Sequence, residues 1–401
     1  MHKSVLVILL LGSLISYPAA ADANRELHER IMVLDSHLDT PVKLIDPDFD
    51  IMQRYNVIED NSQVDFPRMQ EGGLDGGFWV IFSRQGPINQ KAFQTVRDIA
   101  VMRALAVHKM VAAYPDVFEL ATTAADGPRI HAAGKRIVYL SIENAYPLGE
   151  DLSLIKTFYD LGVRMLGPVH FANNQFGDSA TDLGGQKWQG LSPLGIELVK
   201  EANRLGMILD GSHAHDDLVR QMMELSATPI VLSHSGANSI YNHARNVPDD
   251  ILLKLAETGG VIQMNAFGGY LTKLPENPRR TDALNALRAK SNAVTKMTDA
   301  IAAELDAERR EIDRKFPRQL ASFQSYIDHF LYVLKLIGPD HVGVSGDFDG
   351  GGGVAEFNDI AAMPHLTERL IKEGYSESDL AKIWGGNLIR LLQAAEEHAA
   401  K

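Results

Sequence analysis

Eight short apolar runs, separated by longer amphipathic ones, constrain this chain more than any other feature. They are 30–36 (RIMVLDS), 76–83 (GGFWVIFS), 136–143 (RIVYLSIE), 163–170 (VRMLGPVH), 206–212 (GMILDGS), 229–235 (PIVLSHS), 260–266 (GVIQMNA) and 341–347 (HVGVSGD). Each is apolar on both faces, as parallel strands are when helices cover both sides of their sheet. The stretches 91–113, 192–204 and 215–226 carry apolar groups at helical spacing. "VPDDILLKLAETGG" reads as a helix capped at Asp249 or Asp250 and stopped at Gly259. Strand and helix alternating eight times predict an α/β fold of the (β/α)8, TIM-like barrel kind. A doubly wound open sheet competes, but it carries a glycine turn for phosphate after its first strand. Here that turn is "SHLDTP".

One connection is too long for a plain barrel. Residues 271–327, between strands seven and eight, are rich in Ala, Leu, Glu, Lys and Arg and read as a helical insertion. It reads first as a solvated excursion; a lid over the site or the contact of a homodimer are the functional alternatives. The remainder, 22–401, reads as a single domain. Residues 1–21 combine Lys3, an apolar core from Val5 to Ile15 and an A-x-A pattern at 19–21, the pattern of a cleaved secretory signal peptide. The apolar run is shorter than the roughly 20 residues that span a bilayer, so no stable transmembrane anchor is expected, although a retained anchor is the alternative reading. The expected compartment is periplasmic or extracellular. The 401 residues include no cysteine, so the fold has no disulfide, a lipoprotein-type anchor is excluded, and any metal must be held by His, Asp and Glu. A formal net charge of −13 argues against a nucleic-acid partner.

In a barrel, the C-terminal ends of all strands face one active site. Strand one ends with His37 and Asp39, three with Glu143, four with His170, five with His213, six with His234, and eight with Asp347 followed by Asp349. A lone histidine at a strand end is usually a hydrogen-bonded structural residue. Six strand ends of ligand type at one mouth are harder to explain that way, because carboxylates buried side by side cost several kcal/mol unless cations offset them. His37 and Asp39, two apart on an extended strand, point the same way. Glu143 has two oxygens and could bridge two ions. Imidazole and carboxylate without thiolate suit zinc, manganese or cobalt, and two such ions could activate a water and polarise a carbonyl. His215, His243, His329 and His365 read as structural or surface groups. Asp35 is either a partner that orients a ligand or the cap of a turn.

The pieces "DSHLDTP", "SIEN", "GPVHFANN", "LDGSH", "SHSGA", "ARNVPDD", "GDFDG" and "GGNLIRLL" occur in order across residues 30 to 395. In these the chain resembles the membrane dipeptidase (renal dipeptidase) family of binuclear zinc peptidases, within the amidohydrolase-like superfamily. The resemblance implies two zinc ions per subunit, with manganese or cobalt as substitutes. It implies that His37 and Asp39 bind one ion, that Glu143 bridges both, and that His213 and His234 bind the second. His170 would contact the substrate carbonyl oxygen, Arg245 would grip the dipeptide's free carboxylate, and Asp347 would shuttle the proton. It also implies small dipeptide substrates, including some with a C-terminal D-residue. The chain departs from the family at Leu38, where several relatives have Asn, at Asn144 and Ala145, where relatives have a Gly pair, in "HFANNQFGD", and in the length of the insertion. These departures bear on substrate choice and remove no ligand. The reading is an exported zinc dipeptidase. Its alternatives are a related amidohydrolase or lactonase, a periplasmic tailoring enzyme of a peptide-derived product, and a non-catalytic, metal-stabilised maturation factor.

Overall fold

The computed structural model describes residues 18–293 and 299–401. Residues 1–17, which hold most of the expected signal peptide, and 294–298 of the insertion lie outside the described residues. Among the described residues, no helix is long and apolar enough to cross a membrane.

The expected barrel strands all form: β1 Leu34–Leu38, β2 Gly76–Phe82, β3 Arg136–Glu143, β4 Val163–Leu166, β5 Ile208–Leu209, β6 Val231–Ala237, β7 Val261–Asn265 and β8 Val342–Ser345. Strands β1 to β5 pair in chain order, all parallel, and β6 pairs with β7 and β7 with β8 in the same sense. Two short strands escaped the sequence reading: Phe118–Leu120 beside β3, and Asn246–Val247 beside β6. They are too short to show a period.

The two sheets meet at two seams, where the ladder thins to isolated bridges. At one, Asp210 bridges Val231 and the Gly211 amide donates to the Val231 carbonyl. At the other, Leu38 bridges Phe348 and the Asp39 amide donates to the Phe348 carbonyl. Buried carboxylates strengthen both. Asp210 accepts from the amides of Ser212 and Ser233 at 2.9 Å each. Asp35 accepts from the amides of His37 at 2.8 Å and Gly346 at 2.7 Å. The result is the (β/α)8 arrangement, with helices such as Gln90–Ala113, Pro193–Leu205 and Phe323–Ile337 laid outside.

Some boundaries differ from those expected. Strand β4 ends at Leu166, Gly167 still donates to the Ile142 carbonyl, Pro168 has no amide to carry the ladder on, and His170 stands four residues beyond the strand. β6 runs on to Ala237, so His234 lies within it. The helix Asp249–Glu257 is not capped by either aspartate. Pro248 takes the cap position, and Asp249 and Asp250 fill the first turn, where negative charge suits the helix dipole. Asp249 instead accepts from Ser239 and Tyr332 hydroxyls.

Within 271–327, helices Pro278–Asn292 and Asp299–Lys315 lie together, joined by Lys290 to Glu304 and Glu308 and by Arg280 to Asp313. The last turns of that range already belong to the buried helix Phe323–Ile337. Between them, Arg318 donates to the Gly351 carbonyl and the Ala355 amide donates to Ala321, so the stem of the insertion rests on the glycine loop after β8.

β2 opens with Gly76 and Gly77 because its neighbours approach too closely for a side chain. A Cβ on Gly77 would collide with the Asp35 carbonyl, and one on Gly76 with that of Ile137. Replacing Gly77 with Ala should lower stability by about 1–3 kcal/mol in urea titration, since backbone must yield. An unchanged midpoint would refute this packing.

Candidate metal centre

Local irregularities aim the side chains of this site. The β1–β2 register shifts between Asp35 and Leu38, and the β6–β7 register between Leu232 and Ser235. His37 and His234 sit inside these shifts, as re-aimed residues at strand ends do. Asn144, His213, Asp347 and Asp349 have positive φ (69°, 67°, 51° and 63°), a conformation costly for residues with side chains and typical of functional sites. Asn tolerates this conformation better than most residues with a side chain.

Glu143 occupies the middle. Its Oε1 lies 3.0 Å from His213 Nε2, 3.3 Å from His234 Nε2 and 3.7 Å from His170 Nε2, and its Oε2 lies 3.7 Å from His37 Nε2. His37 Nε2 is 3.4 Å from Asp39 Oδ2, and the Nε2 atoms of His213 and His234 are 2.8 Å apart. Three groups bring their donor atoms within 4.8 Å of one another: His37, Glu143 and His234; Glu143, His170 and His213; and His37, Asp39 and Asp347. All the expected ligand residues therefore converge. His170 stands among the donors, in reach of an ion as well as of a substrate oxygen. The centre is the floor of a cavity of about 280 Å³.

The electrostatics fit cations. Burial raises the pKa of Asp347 to about 6, and it raises Glu143 as well. Burial also opposes charge on His37, but Glu143 and Asp39 outweigh it and hold its pKa at about 10. Burial, then the charge of Arg245, pushes His170 down to about 3 and His213 well below the usual range. His234 goes the same way under burial, then His37 and Arg245. Neutral imidazoles facing crowded carboxylates form a donor set for divalent ions. Gly350 leaves room for them: its missing Cβ would strike Asp39 Oδ2 and Asp347 Oδ1.

Hydrogen bonds behind the donors set their orientation. Ser233 Oγ lies 2.6 Å from Asp210 Oδ2 and 2.8 Å from His234 Nδ1. A carboxylate only accepts, so the hydroxyl donates to Asp210 and Nδ1–H donates to the hydroxyl. His234 Nε2 is left with a bare lone pair toward Glu143. Asn265 Nδ2 donates to Asp347 Oδ2 at 3.2 Å and steadies it. Among the described residues Asp35 makes no hydrogen bond to an imidazole; it fastens the backbones that carry His37 and Asp347, which makes it a backbone latch. Asp349 accepts from the Thr40 hydroxyl and the Gln63 amide.

Arg245 is 3% exposed, donates to the His234 carbonyl at 3.1 Å, lies 5.4 Å from the Tyr270 ring centre and leaves its Nε unpartnered. It forms no ion pair among the described residues, so it is not the surface salt bridge that an arginine in this position could have been. The other histidines are structural, as expected. His215 caps a helix and His329 accepts from the Ala237 amide. His365 Nδ1 pairs with the Glu356 carbonyl, and His243 Nδ1 receives the Arg245 amide. Sequence reasoning missed Asp210, Ser233, Asn265, Phe171 and Tyr270. Asn265 alone had a signal, its place at the end of strand seven.

The profile of the membrane dipeptidases, peptidase family M19, matches residues 21–401. Dipeptidase aclJ of Aspergillus oryzae is 31% identical over 345 residues, 84% of this chain and 71% of the relative. The crystal structure of the probable dipeptidase PvdM from Pseudomonas aeruginosa matches with a TM-score of 0.80 at 30% identity, over 96% of this chain and 100% of that one. A metallopeptidase from Rhodobacter sphaeroides, liganded with a phosphinate mimic of the dipeptide L-Ala-D-Ala, shares the fold with a TM-score of 0.72 at 24% identity, over 91% of this chain and 99% of that one.

Two outcomes test the centre. Ser233→Ala should weaken divalent-metal affinity about 10–100-fold in competition with a chromophoric chelator, at unchanged secondary structure; equal affinity would remove Ser233 from the ligand's support. Protons must leave Glu143 and His37 before these can bind a cation. Affinity of the metal-free protein should therefore rise by about tenfold or more from pH 6 to pH 8. A flat or falling trend would contradict the charges assigned above.

Proposed function

The chain belongs to the membrane dipeptidase family, peptidase family M19, and on that premise we propose that it is an exported dipeptidase working with two zinc ions. Metal-dependent dipeptide hydrolysis is the activity of that family, and the named relatives are a dipeptidase, a probable dipeptidase and a metallopeptidase. His37 and Asp39 would hold one ion, His213 and His234 the other, with Glu143 between them. The observation that carries the reading is the placement of Glu143 Oε1 within 3.3 Å of both His213 and His234 while Oε2 faces His37.

Bound there, two divalent ions would lower the pKa of a water and polarise the substrate carbonyl. The protein's own groups divide the remaining work. Arg245, buried and without a carboxylate partner among the described residues, suits the free carboxylate of a dipeptide, which a guanidinium holds bidentately. His170, kept neutral by burial and by Arg245, can donate a hydrogen bond to the carbonyl oxygen as negative charge grows on it. Asp347, held by Asn265 at the cavity floor, is the carboxylate placed to act as base. It can take a proton from the attacking water and return it to the leaving amine. The Rhodobacter relative's ligand, a mimic of L-Ala-D-Ala, supports acceptance of a C-terminal D-residue. The sequence pattern of residues 1–21 supports export.

Arg245→Ala should lower kcat/KM for free dipeptides about a hundredfold, chiefly through KM, and should spare substrates that lack a terminal carboxylate. Unchanged kinetics on free dipeptides would overturn its role. Asp347→Asn should abolish turnover while a full complement of two zinc ions remains by elemental analysis. Retained turnover would take the proton shuttle from Asp347, and a single ion in the wild type would overturn the binuclear reading.

A further inference from the structure

The turn after β8 carries Asp347 in a backbone conformation that its residues do not favour by themselves. Asp347 and Asp349 both have positive φ, 51° and 63°, and residues with side chains stay there only where their surroundings hold them. Within the turn, the Gly352 amide donates to the Asp347 carbonyl at 2.7 Å. Much of the remaining hold comes from one side chain distant in sequence. Gln63 is 6% exposed, and every polar group it has is bonded. Its Nε2 donates to the carbonyls of Gly352 at 2.9 Å and Asn358 at 2.8 Å. Its Oε1 accepts from the Asp349 amide at 2.8 Å, and its own amide donates to Asp349 Oδ1 at 2.8 Å. Its carbonyl accepts from the Ile360 amide at 3.3 Å. Two carbonyls facing one end of the carboxamide and an amide facing the other fix its orientation.

We propose that Gln63 is a positioning residue, which sets the Asp347 carboxyl at the cavity floor by clamping the Asp347–Gly352 turn from behind. The inference rests on the reading of Asp347 as the group that moves the proton. The clamp grips the turn at Asp349 and again at Gly352, so neither side of it can swing alone. Its far side reaches the end of β1. The Thr40 hydroxyl donates to Asp349 Oδ2 at 2.8 Å, and the Asp39 amide donates to the Phe348 carbonyl at 3.0 Å. Asp349 lines the cavity, yet each of its carboxylate oxygens accepts a bond that ties the turn to Gln63 or to Thr40. Asp39 and Asp347 are thereby held against each other across Gly350, where a Cβ would strike both. Asn265 fixes the Asp347 carboxyl from β7; Gln63 fixes the backbone beneath it. Gln63 itself stands in the wall of a separate pocket with Asn358 and Arg318, so it acts on the reaction through the turn.

The test measures kcat, KM and bound metal for the metal-loaded wild type, Gln63→Glu, Gln63→Ala and Asp347→Asn, on Ala-Gly and L-Ala-D-Ala. Glutamate matches glutamine in size and keeps an acceptor for the Asp349 amide, but it turns an oxygen toward the Gly352 and Asn358 carbonyls. Alanine removes the side-chain bonds and leaves the backbone pair with Asp349. Each Gln63 variant should lower kcat by about 10–100-fold, the scale of a small displacement of a catalytic group. KM should stay within about twofold and metal content should hold, because the substrate and ion contacts lie elsewhere. An unchanged kcat in Gln63→Glu, or a loss wholly in KM, would overturn the inference. So would a lower thermal midpoint with kcat per bound metal unchanged, since Gln63 would then serve stability alone. Asp347→Asn separates the two readings. If it turns over like the wild type, the assignment of Asp347 fails and the inference falls with it. An inactive Asp347→Asn beside fully active Gln63 variants overturns the inference alone.

Discussion

Asp39, Glu143 and Asp347 share one water-poor floor, where each buried carboxylate costs several kcal/mol unless a cation faces it. His37 is the one imidazole there that carries positive charge in the protein alone. His170, His213 and His234 are held neutral and turn lone pairs or ring protons inward. Much of the surrounding architecture follows from keeping these groups together. Backbone amides and buried hydroxyls occupy the remaining acceptors, glycines keep the space open, and Arg245 is set back, paired with a carbonyl and a ring. Loaded with cations, a floor of this kind would place a water, a substrate carbonyl and the leaving amine within reach of one base.

The architecture was legible because parallel strands buried on both faces leave a strong apolar signature and because barrel topology sends all their ends to one mouth. From those two facts His37, Asp39, Glu143, His170, His213, His234 and Asp347 could be named before any geometry. The alternation argument was sound in its result for His37 and Asp39, although the chain reaches it through a register shift that no pattern of hydrophobicity records. Arg245 needed the family resemblance, since nothing in "ARNVPDD" distinguishes a buried guanidinium from a surface one.

What stayed hidden was chiefly the support behind the ligands. Ser233 and Asp210 look like ordinary polar residues beside histidines, and their relay exists only because β5 and β6 meet at a seam. Asn265 steadies Asp347 across the β7–β8 pair, a contact between residues 82 apart. Phe171 reads in sequence as one more apolar residue, yet it is an exposed part of the cavity wall beside His170. Long-range partners of this kind carry no local period, so a single sequence does not display them.

The two seams have a further consequence. The six-stranded sheet supplies His37, Glu143 and, four residues beyond β5, His213; the four-stranded sheet supplies His234 and, beyond β8, Asp347. Backbone bonding between the sheets is sparse at both junctions, where Asp35 and Asp210 stand in for missing rungs. A pair of ions in this position would act as a clasp across both joints. Loss of metal should then register as much in hydrogen-exchange protection along β1, β5, β6 and β8 as in catalysis, with the barrel's staves loosening in two places while each sheet stays intact.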